Sequence, residues 1–233
     1  MNKPTTQKKQ RRNTILATKL SRLKIGFLGK QNWISSPAIY TKSTLSIAGH
    51  PVMEDWERKY MKVLSDIACS KGGNILEVGY GMGISANFIL SNKKIDSHTV
   101  IECHPQVLEK CMILHQDEIK NKKLFTHLGF WQDVVPKLKQ NSFDGILFDT
   151  YPLSAKEIHC NHFSFFKQAH RILVKGGILT YYSDEKSEFS KEHLHKLQEA
   201  GFSNYQYQIC NVNPPKNCKY WNSKTILAPI ITK

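Results

Sequence analysis

The chain has 233 residues, of which 40% are hydrophobic and 10% aromatic, a composition typical of a globular protein with a sizeable core. No run approaches the roughly 18 consecutive apolar residues that a membrane-spanning helix needs, so we expect no membrane span. The six cysteines include no C-x-x-C pair, so we expect reduced thiols, a cytoplasmic location and no metal site.

The net charge of +14 is unevenly distributed along the chain. Ten lysines and arginines precede the first acidic residue, Glu54, whereas the remaining residues include 23 basic and 19 acidic side chains. We therefore divide the chain into a basic arm at residues 1–30 and a folded domain at residues 31–233.

The basic arm has three interpretations. Residues 3–12 are polar, as in a disordered segment. Apolar residues then recur at helical spacing, at Leu16, Leu20, Leu23 and Phe27. A short basic helix that contacts an acidic surface or nucleic acid is therefore the second interpretation, and an organelle-targeting segment is the third. In all three cases we expect the arm to be dispensable for chemistry on a small substrate.

From residue 50 onward, helix and strand patterns alternate. Pro51 and the apolar spacing after it predict a helix that ends before Gly72 and Gly73. The predicted strands are 74–78, 99–102, 124–128, 143–148, 177–182, 205–212 and 224–231. Predicted helices between them reach residue 90 and cover 105–116, 131–138, 157–173 and 190–200. This order predicts an α/β fold with a mostly parallel sheet, and the last two strands predict an antiparallel hairpin at one edge.

A glycine-rich loop, EVGYGMG at 77–83, follows the first strand of this alternation. Its glycines let a ligand approach the backbone beside the free N–H groups of a helix start. The spacing fits the dinucleotide fingerprint only loosely, and Glu77 favours a cationic cofactor over a pyrophosphate. Glu102 ends the next strand, where an acid accepts hydrogen bonds from the ribose of an adenosine. We therefore predict S-adenosylmethionine as the cofactor.

Two further acids are candidates for binding a substrate. Asp149 ends the fourth strand, at the sheet edge where α/β proteins bind ligands, and a turn aspartate before Pro152 is the structural alternative. Met53, Glu57 and Met61 are spaced four residues apart on the predicted opening helix, so they would share one face. A carboxylate between two methionines is unusual for a solvated face. In the simpler alternative, Glu57 is exposed on the helix and pairs with a nearby lysine or arginine.

Several motifs together resemble a known family. The sequence is similar to guanidinoacetate N-methyltransferase in PVMEDWERKYM (51–61), FDGILFDTYPLS (143–154), NPPKNCKYW (213–221) and PIITK (229–233). HPQVLEK (104–110) resembles the fungal arginine δ-N-methyltransferases, which are relatives of that enzyme. The resemblance runs from about Trp33 to the C-terminus. The glycine loop is common to methyltransferases, whereas the first two motifs are specific to this group.

The resemblance implies a class I S-adenosylmethionine-dependent methyltransferase, with a Rossmann-like, seven-stranded, mostly parallel sheet and an antiparallel C-terminal edge hairpin. Together with the residue patterns, it implies cofactor binding by Met53, Met61, Glu77, Gly79, Tyr80, Gly81, Met82, Gly83, Ile84, Ser85, Glu102, Cys103, His104, Trp131, Gln132 and Asp149. It implies substrate binding by Trp33, Glu57, Asp149, Thr150, Tyr151, Asp184 and Glu185. Trp33 would belong to a segment that closes over the site, and Gln132 stands where the family commonly has Glu.

The implied reaction is methyl transfer from S-adenosylmethionine to a guanidino group, and guanidinoacetate, which becomes creatine, is the first expected substrate. A guanidinium has a pKa above ~12 and no free lone pair. Glu57 and Asp149 are expected to hold its N–H groups, and Asp149 to accept the released proton. The alternatives are arginine or another small guanidine. A nucleic-acid methyltransferase and a non-catalytic cofactor-binding protein are less favoured.

Asp184 and Glu185 bear on which guanidine binds. They stand where guanidinoacetate N-methyltransferase receives the substrate carboxylate, in a segment that is shorter in this chain. Acids at that place favour a guanidine with a distal ammonium group, such as arginine or agmatine, unless the alignment slips in the shortened loop. The sequence predicts neither the natural substrate nor the oligomeric state.

Overall fold

The computed structural model describes residues 23–233, and its first unit is a short helix followed by a small antiparallel sheet. Helix α1 (Lys30–Ser35) precedes β1 (Ala38–Tyr40), β2 (Thr44–Ile47) and β3 (His50–Glu54). Strand β2 pairs with both neighbours. Ala48 and Gly49, which connect β2 to β3, both have positive φ, the conformation that tight hairpin turns require.

The prediction of a helix that begins at Pro51 is wrong, because this part of the chain belongs to the small sheet. Pro51 lies in β3, where pairing with β2 supplies the hydrogen bonds that a helix would otherwise provide. A 3₁₀ turn at Asp55–Glu57 follows, and helix α2 spans only Arg58–Ala68.

The same correction applies to the face expected for Met53, Glu57 and Met61. Met53 lies on β3, Glu57 ends the 3₁₀ turn, and Met61 lies inside α2. The three residues therefore do not share one helical face. Glu54 and Glu57 instead form a capping box, in which each side chain accepts a hydrogen bond from the backbone of the other residue.

The main element is a seven-stranded sheet. It consists of β4 (Gly73–Val78), β5 (Ile95–Glu102), β6 (Leu124–Leu128), β7 (Phe143–Phe148), β8 (Leu173–Tyr181), β9 (Asn204–Asn211) and β10 (Thr225–Thr232). The strand order is β6-β5-β4-β7-β8-β10-β9, and β4 to β8 are parallel. Strand β10 pairs antiparallel with β8 and with β9. The predicted parallel sheet and antiparallel edge hairpin are confirmed.

The remaining helices are α3 (Ile84–Leu90), α4 (Pro105–Leu114), α5 (Gln116–Lys120), α6 (Trp131–Val134), α7 (Phe166–Ile172) and α8 (Lys191–Glu199). Short 3₁₀ turns lie at Val135–Lys137 and Asn161–Phe165, inside the regions predicted as longer helices. Successive residues of β7 pack into different hydrophobic clusters, Ile146 with α7 and Leu147 with α2. Because strand side chains alternate between faces, helices cover both faces of the sheet.

Part of the predicted arm lies outside the described residues, namely residues 3–12, Leu16 and Leu20. Within the described part, residues 23–25 are helical and Phe27 is not. No helix between residues 23 and 233 combines the length and apolar character that crossing a membrane requires.

Candidate active site

A cavity of about 260 Å³ lies at the carboxyl ends of β4, β5, β7 and β8. Residues of α1 and of the small sheet complete its wall, including Trp33, Leu45 and Met53. Ligands of open α/β sheets bind at this edge of the sheet. The cavity therefore has the position expected for the cofactor and the substrate together.

The glycine loop contributes backbone to this wall through Gly79 and Gly81. Gly79 has φ +93°, and a Cβ atom there would lie 1.9 Å from the carbonyl oxygen of Asp149. A Cβ on Gly81 would lie 3.1 Å from Sδ of Met53. Only glycine lets the loop pass this close to the ends of β7 and β3, so these two positions keep the cavity wall compact.

Glu102 holds the loop from the adjacent strand. Its carboxylate accepts hydrogen bonds from the backbone N–H of Tyr80 at 2.9 Å and of His104 at 2.8 Å. The side chain also lines the cavity, next to an apolar and aromatic wall formed by Ile101, Cys103, Val107 and Trp131, with Gln132 beside it. Carboxylate oxygens accept more than one hydrogen bond each. These residues fit the ribose and adenine of an adenosine cofactor.

Replacing Glu102 by alanine is expected to weaken S-adenosylmethionine binding by about 1–3 kcal/mol, because the ribose hydroxyls and two backbone N–H groups lose their acceptor. Isothermal titration calorimetry measures this change. The matched control is Glu109→Ala, at an exposed position of α4. Unchanged affinity in a folded Glu102→Ala protein would show that the cofactor binds elsewhere.

Glu77 lies in the interior and is absent from the cavity wall. Its side chain is fully buried, its Oε2 lies 3.0 Å from Nε2 of His98, and its Oε1 accepts a hydrogen bond from the Ser85 hydroxyl. This arrangement ties the end of β4 to the start of α3. The geometry favours a loop-fixing role for Glu77 over the predicted direct contact with a cationic cofactor.

Other residues predicted to bind the cofactor lie behind the wall. Met61, Tyr80, Met82, Gly83, Ile84, Ser85 and His104 are outside the lining, whereas Met53, Gly79, Gly81, Glu102, Cys103, Trp131, Gln132 and Asp149 belong to it. The N–H of Met82 donates to Sδ of Met53 at 3.4 Å. Nε2 of His104 contacts the carbonyl of Ser36 at 2.8 Å. These two contacts join the loop region to the N-terminal segment.

Glu57 is buried at the cavity wall. Its Oε1 accepts the Tyr220 hydroxyl at 2.6 Å and the backbone N–H of Glu54 at 2.8 Å. Burial, and then the negative charge of Asp149, raise the pKa of Glu57 to about 8. At neutral pH a ligand-free cavity therefore favours the protonated form of this carboxyl group. A cation bound between Glu57 and Asp149 would favour ionisation of both.

Asp149 follows β7 and lines the same cavity. Its N–H donates to the carbonyl of Val78 at 2.9 Å, which continues the parallel pairing of β4 and β7 for one more residue. Thr150 and Tyr151 line the cavity as well, and Nδ2 of Asn161 donates to the carbonyl of Thr150 at 2.6 Å. The backbone therefore fixes Asp149 close enough to Glu57 for each charge to affect the other.

The N-terminal segment is pinned over the cavity by aromatic contacts. Trp33 stacks on Tyr151 with ring centroids 5.0 Å apart and planes 14° apart. The Tyr151 hydroxyl lies 3.0 Å from Nδ1 of His50. These contacts join α1 and β3 to the loop after β7.

The two acids after β8 have different environments. Asp184 lines the cavity, and its Oδ1 lies 2.8 Å from Nδ1 of His159. The Glu185 carboxylate accepts the backbone N–H of Ser190 at 3.1 Å and lies 3.7 Å from Nδ1 of His193, outside the cavity wall. The structure thus brings Asp184 to the site and directs Glu185 toward α8.

Several wall residues were not identified from the sequence, and three of them are polar side chains beside the predicted ones. Tyr220 binds Glu57, Tyr182 follows β8, and Glu157 accepts the N–H of Leu153 at 2.8 Å through Oε2. Tyr220 lies within the NPPKNCKYW motif, so that motif was the available signal. Its contact with Glu57 spans 163 positions and no local pattern indicates it.

The chain is similar in sequence to known fungal proteins. Protein arginine N-methyltransferase 2 of Yarrowia lipolytica is 29% identical over 203 residues, which cover 79% of this chain and 41% of that protein. Its counterpart in Saccharomyces cerevisiae is 36% identical over 108 residues, which cover 43% of this chain and 26% of that protein. The chain therefore spans less than half the length of these relatives.

The fold has solved counterparts. Spermidine synthase from Thermotoga maritima superposes with a TM-score of 0.58 at 15% sequence identity, over 81% of this chain and 65% of that chain. This likeness concerns the fold alone, and with the strand order above it confirms the class I methyltransferase fold. The sequence profile named guanidinoacetate N-methyltransferase matches residues 22–233. Because that match covers nearly the whole chain, the chain belongs to the guanidinoacetate N-methyltransferase family.

Proposed function

We propose that the protein transfers a methyl group from S-adenosylmethionine to a nitrogen of a guanidino group. The observation that carries this proposal is the pair of carboxylates, Glu57 and Asp149, in the wall of the cavity that also contains Glu102 and the glycine loop. Glu57 is buried and Asp149 is half-buried beside it, so the two acids are unfavourable in their charged forms unless a cation lies between them. A planar guanidinium supplies that cation and matches carboxylates with paired N–H groups.

The chain's own residues would prepare the guanidino nitrogen to attack the methyl group of the cofactor. Glu57, fixed by Tyr220 and by the N–H of Glu54, holds one side of the guanidinium. Asp149 holds the other side and orients one nitrogen toward the cofactor. When bound, S-adenosylmethionine supplies the methyl group from its sulfonium. Asp149 would accept the proton that the attacking nitrogen loses as it gains the methyl group, and its carboxyl group would later release that proton to water.

The experiment that tests this function is incubation with S-adenosylmethionine and a panel of guanidines, with mass spectrometry of the products. We expect a mass increase of one methylene unit on a guanidino compound and formation of S-adenosylhomocysteine. Parallel reactions contain free arginine, an arginine-containing peptide, RNA and DNA. Methylation of nucleic acid without methylation of any guanidine would contradict the proposal.

Arginine is the second candidate acceptor. The similar fungal proteins bear the name protein arginine N-methyltransferase 2, and arginine presents the same guanidinium to Glu57 and Asp149. Guanidinoacetate remains the acceptor that the family's name suggests. The panel separates them, because free arginine, the peptide and guanidinoacetate give products of different mass.

Removing residues 1–22 is expected to leave turnover of a small guanidine within a few-fold of the full chain. The family match begins at residue 22, and the cavity wall begins at Leu28. Removing residues 1–33 is the comparison, because it deletes Trp33 and its stacking on Tyr151. Initial rates of both truncated proteins measure the effect. If removing residues 1–22 lowered the rate as strongly as removing residues 1–33, the arm itself would act in the reaction.

A further inference from the structure

We propose that Asp184 forms a subsite for a second cationic group, so that the preferred substrate is a guanidine with a distal ammonium. This inference rests on the proposed function and specifies its substrate class. Three features of the cavity support it, namely the charge of the wall, the position of Asp184 and the unmet hydrogen-bonding capacity of Tyr182.

The cavity wall carries an excess of acid. Among the described residues that line it, five have carboxyl side chains, namely Glu57, Glu102, Asp149, Glu157 and Asp184, and one is a lysine, Lys30. S-adenosylmethionine has a net charge of about +1, and the guanidinium adds about +1 when both are bound. With Lys30 counted as well, the acidic side chains of the wall still outnumber these positive charges by five to three.

Lys30 is engaged at another part of the wall. Its Nζ lies 3.6 Å from Oδ2 of Asp133 and 4.5 Å from the centre of the Phe130 ring. Asp133 lies in α6 and Phe130 directly precedes it. The lysine is therefore held at the α6 side of the cavity by an acid of its own.

Asp184 is held in place from behind. His159 Nδ1 contacts Oδ1 of Asp184, and the Asp184 side chain is only 7% exposed. Its backbone has φ +54°, a left-handed conformation that aspartate tolerates better than most residues. The carboxylate is thus a fixed part of the cavity wall, positioned to attract a cation over the short distances of a partly enclosed site.

Tyr182 adds an unmet hydrogen-bonding group to this part of the wall. It lines the cavity, and its buried hydroxyl has no hydrogen-bond partner within residues 23–233. Burial, and next the charges of Glu57 and Asp184, hold the pKa of Tyr182 well above its ordinary value. The neutral hydroxyl is therefore near both the guanidinium-binding pair and Asp184. It can accept a hydrogen bond from a substrate N–H.

These features distinguish between guanidines by their second functional group. Guanidinoacetate would add its own carboxylate to a wall that already has excess negative charge. Agmatine presents a guanidinium and an ammonium joined by an alkyl chain, and both ends are attracted. N-Pentylguanidine has nearly the same shape as agmatine but a methyl group in place of the ammonium, so it isolates the contribution of the second charge.

The test compares kcat/KM for agmatine, N-pentylguanidine and guanidinoacetate in the wild-type protein and in Asp184→Asn. In the wild type we expect agmatine to exceed the other two at least about tenfold, the scale of one favourable partly buried charge pair. Asp184→Asn should remove most of this advantage by raising KM for agmatine more than KM for N-pentylguanidine. Glu188→Gln is the matched control, an exposed acid in the same loop.

The outcomes separate the two proposals. Equal kcat/KM for agmatine and N-pentylguanidine in the wild type, or a wide preference for guanidinoacetate, would overturn the subsite and leave guanidine methylation intact. Methylation of no guanidine would overturn the proposed function, and the subsite with it. The wild-type comparison needs no variant, so it decides the question even if Asp184→Asn fails to fold.

Discussion

Replacing Asp149 by asparagine is expected to lower kcat at least about 100-fold, the usual contribution of a positioned general base. The amide keeps the shape of the side chain but cannot accept the proton released from the attacking nitrogen. It also removes one of the two negative charges that hold the guanidinium. Initial rates at saturating guanidine and S-adenosylmethionine measure the change.

The control for this variant is Asp66→Asn, which neutralises an exposed acid of α2 that pairs with Lys62. An exposed pair of this kind contributes little to stability. Asp66→Asn should retain wild-type turnover. A near-normal kcat for folded Asp149→Asn would contradict the role of Asp149 as proton acceptor.

Replacing Glu57 by glutamine is expected to raise KM for the guanidine by about one to two orders of magnitude, since a buried partner of the guanidinium loses its charge. It should also change the pH dependence. Burial and the charge of Asp149 raise the pKa of Glu57 to about 8, so wild-type kcat/KM should increase as pH rises toward 8 and this carboxyl ionises. The variant should lack this increase. A variant profile that matches the wild type would assign the ionisation to another group.

The same group predicts the pH dependence of stability. Its pKa is about 8 in the folded protein and near 4.5 in the unfolded chain. The folded state therefore binds this proton more tightly, and the free energy of unfolding of the ligand-free protein should fall as pH rises from about 4.5 to about 8. Glu57→Gln should remove that contribution. Thermal melts at pH 6 and pH 9, with and without the substitution, measure it.

The sheet was largely predictable from sequence, because each buried strand is a short apolar run between a helix pattern and a turn. Strands β6 and β7 have the predicted bounds, 124–128 and 143–148. The small N-terminal sheet was not predicted, since β1 has three residues and β2 four. Strand β3 runs directly into a 3₁₀ turn and α2, so the apolar spacing from residue 52 onward imitates one long helix.

The site was predictable where a residue ends a strand and less so elsewhere. Glu102 and Asp149 follow from the rule that ligands bind at the carboxyl ends of parallel strands. Glu77 also lies near a strand end, but its side chain faces His98 in the interior, and strand position alone does not distinguish the two faces. Asp184 and Glu185 are adjacent in sequence and have opposite environments, which only the structure separates.

Methyl transfer to a guanidino nitrogen has a direct spectroscopic test. The protein is incubated with S-adenosylmethionine carrying a ¹³C-methyl group and with guanidines labelled with ¹⁵N in the guanidino group, and the products are examined by NMR. We expect a one-bond ¹³C–¹⁵N coupling in the methylated product. The Asp149→Asn protein should form this product much more slowly. The contrary result is a labelled methyl group that shows no coupling to a guanidino nitrogen, because it is on another atom or still on the cofactor. That result would contradict methyl transfer to a guanidino group.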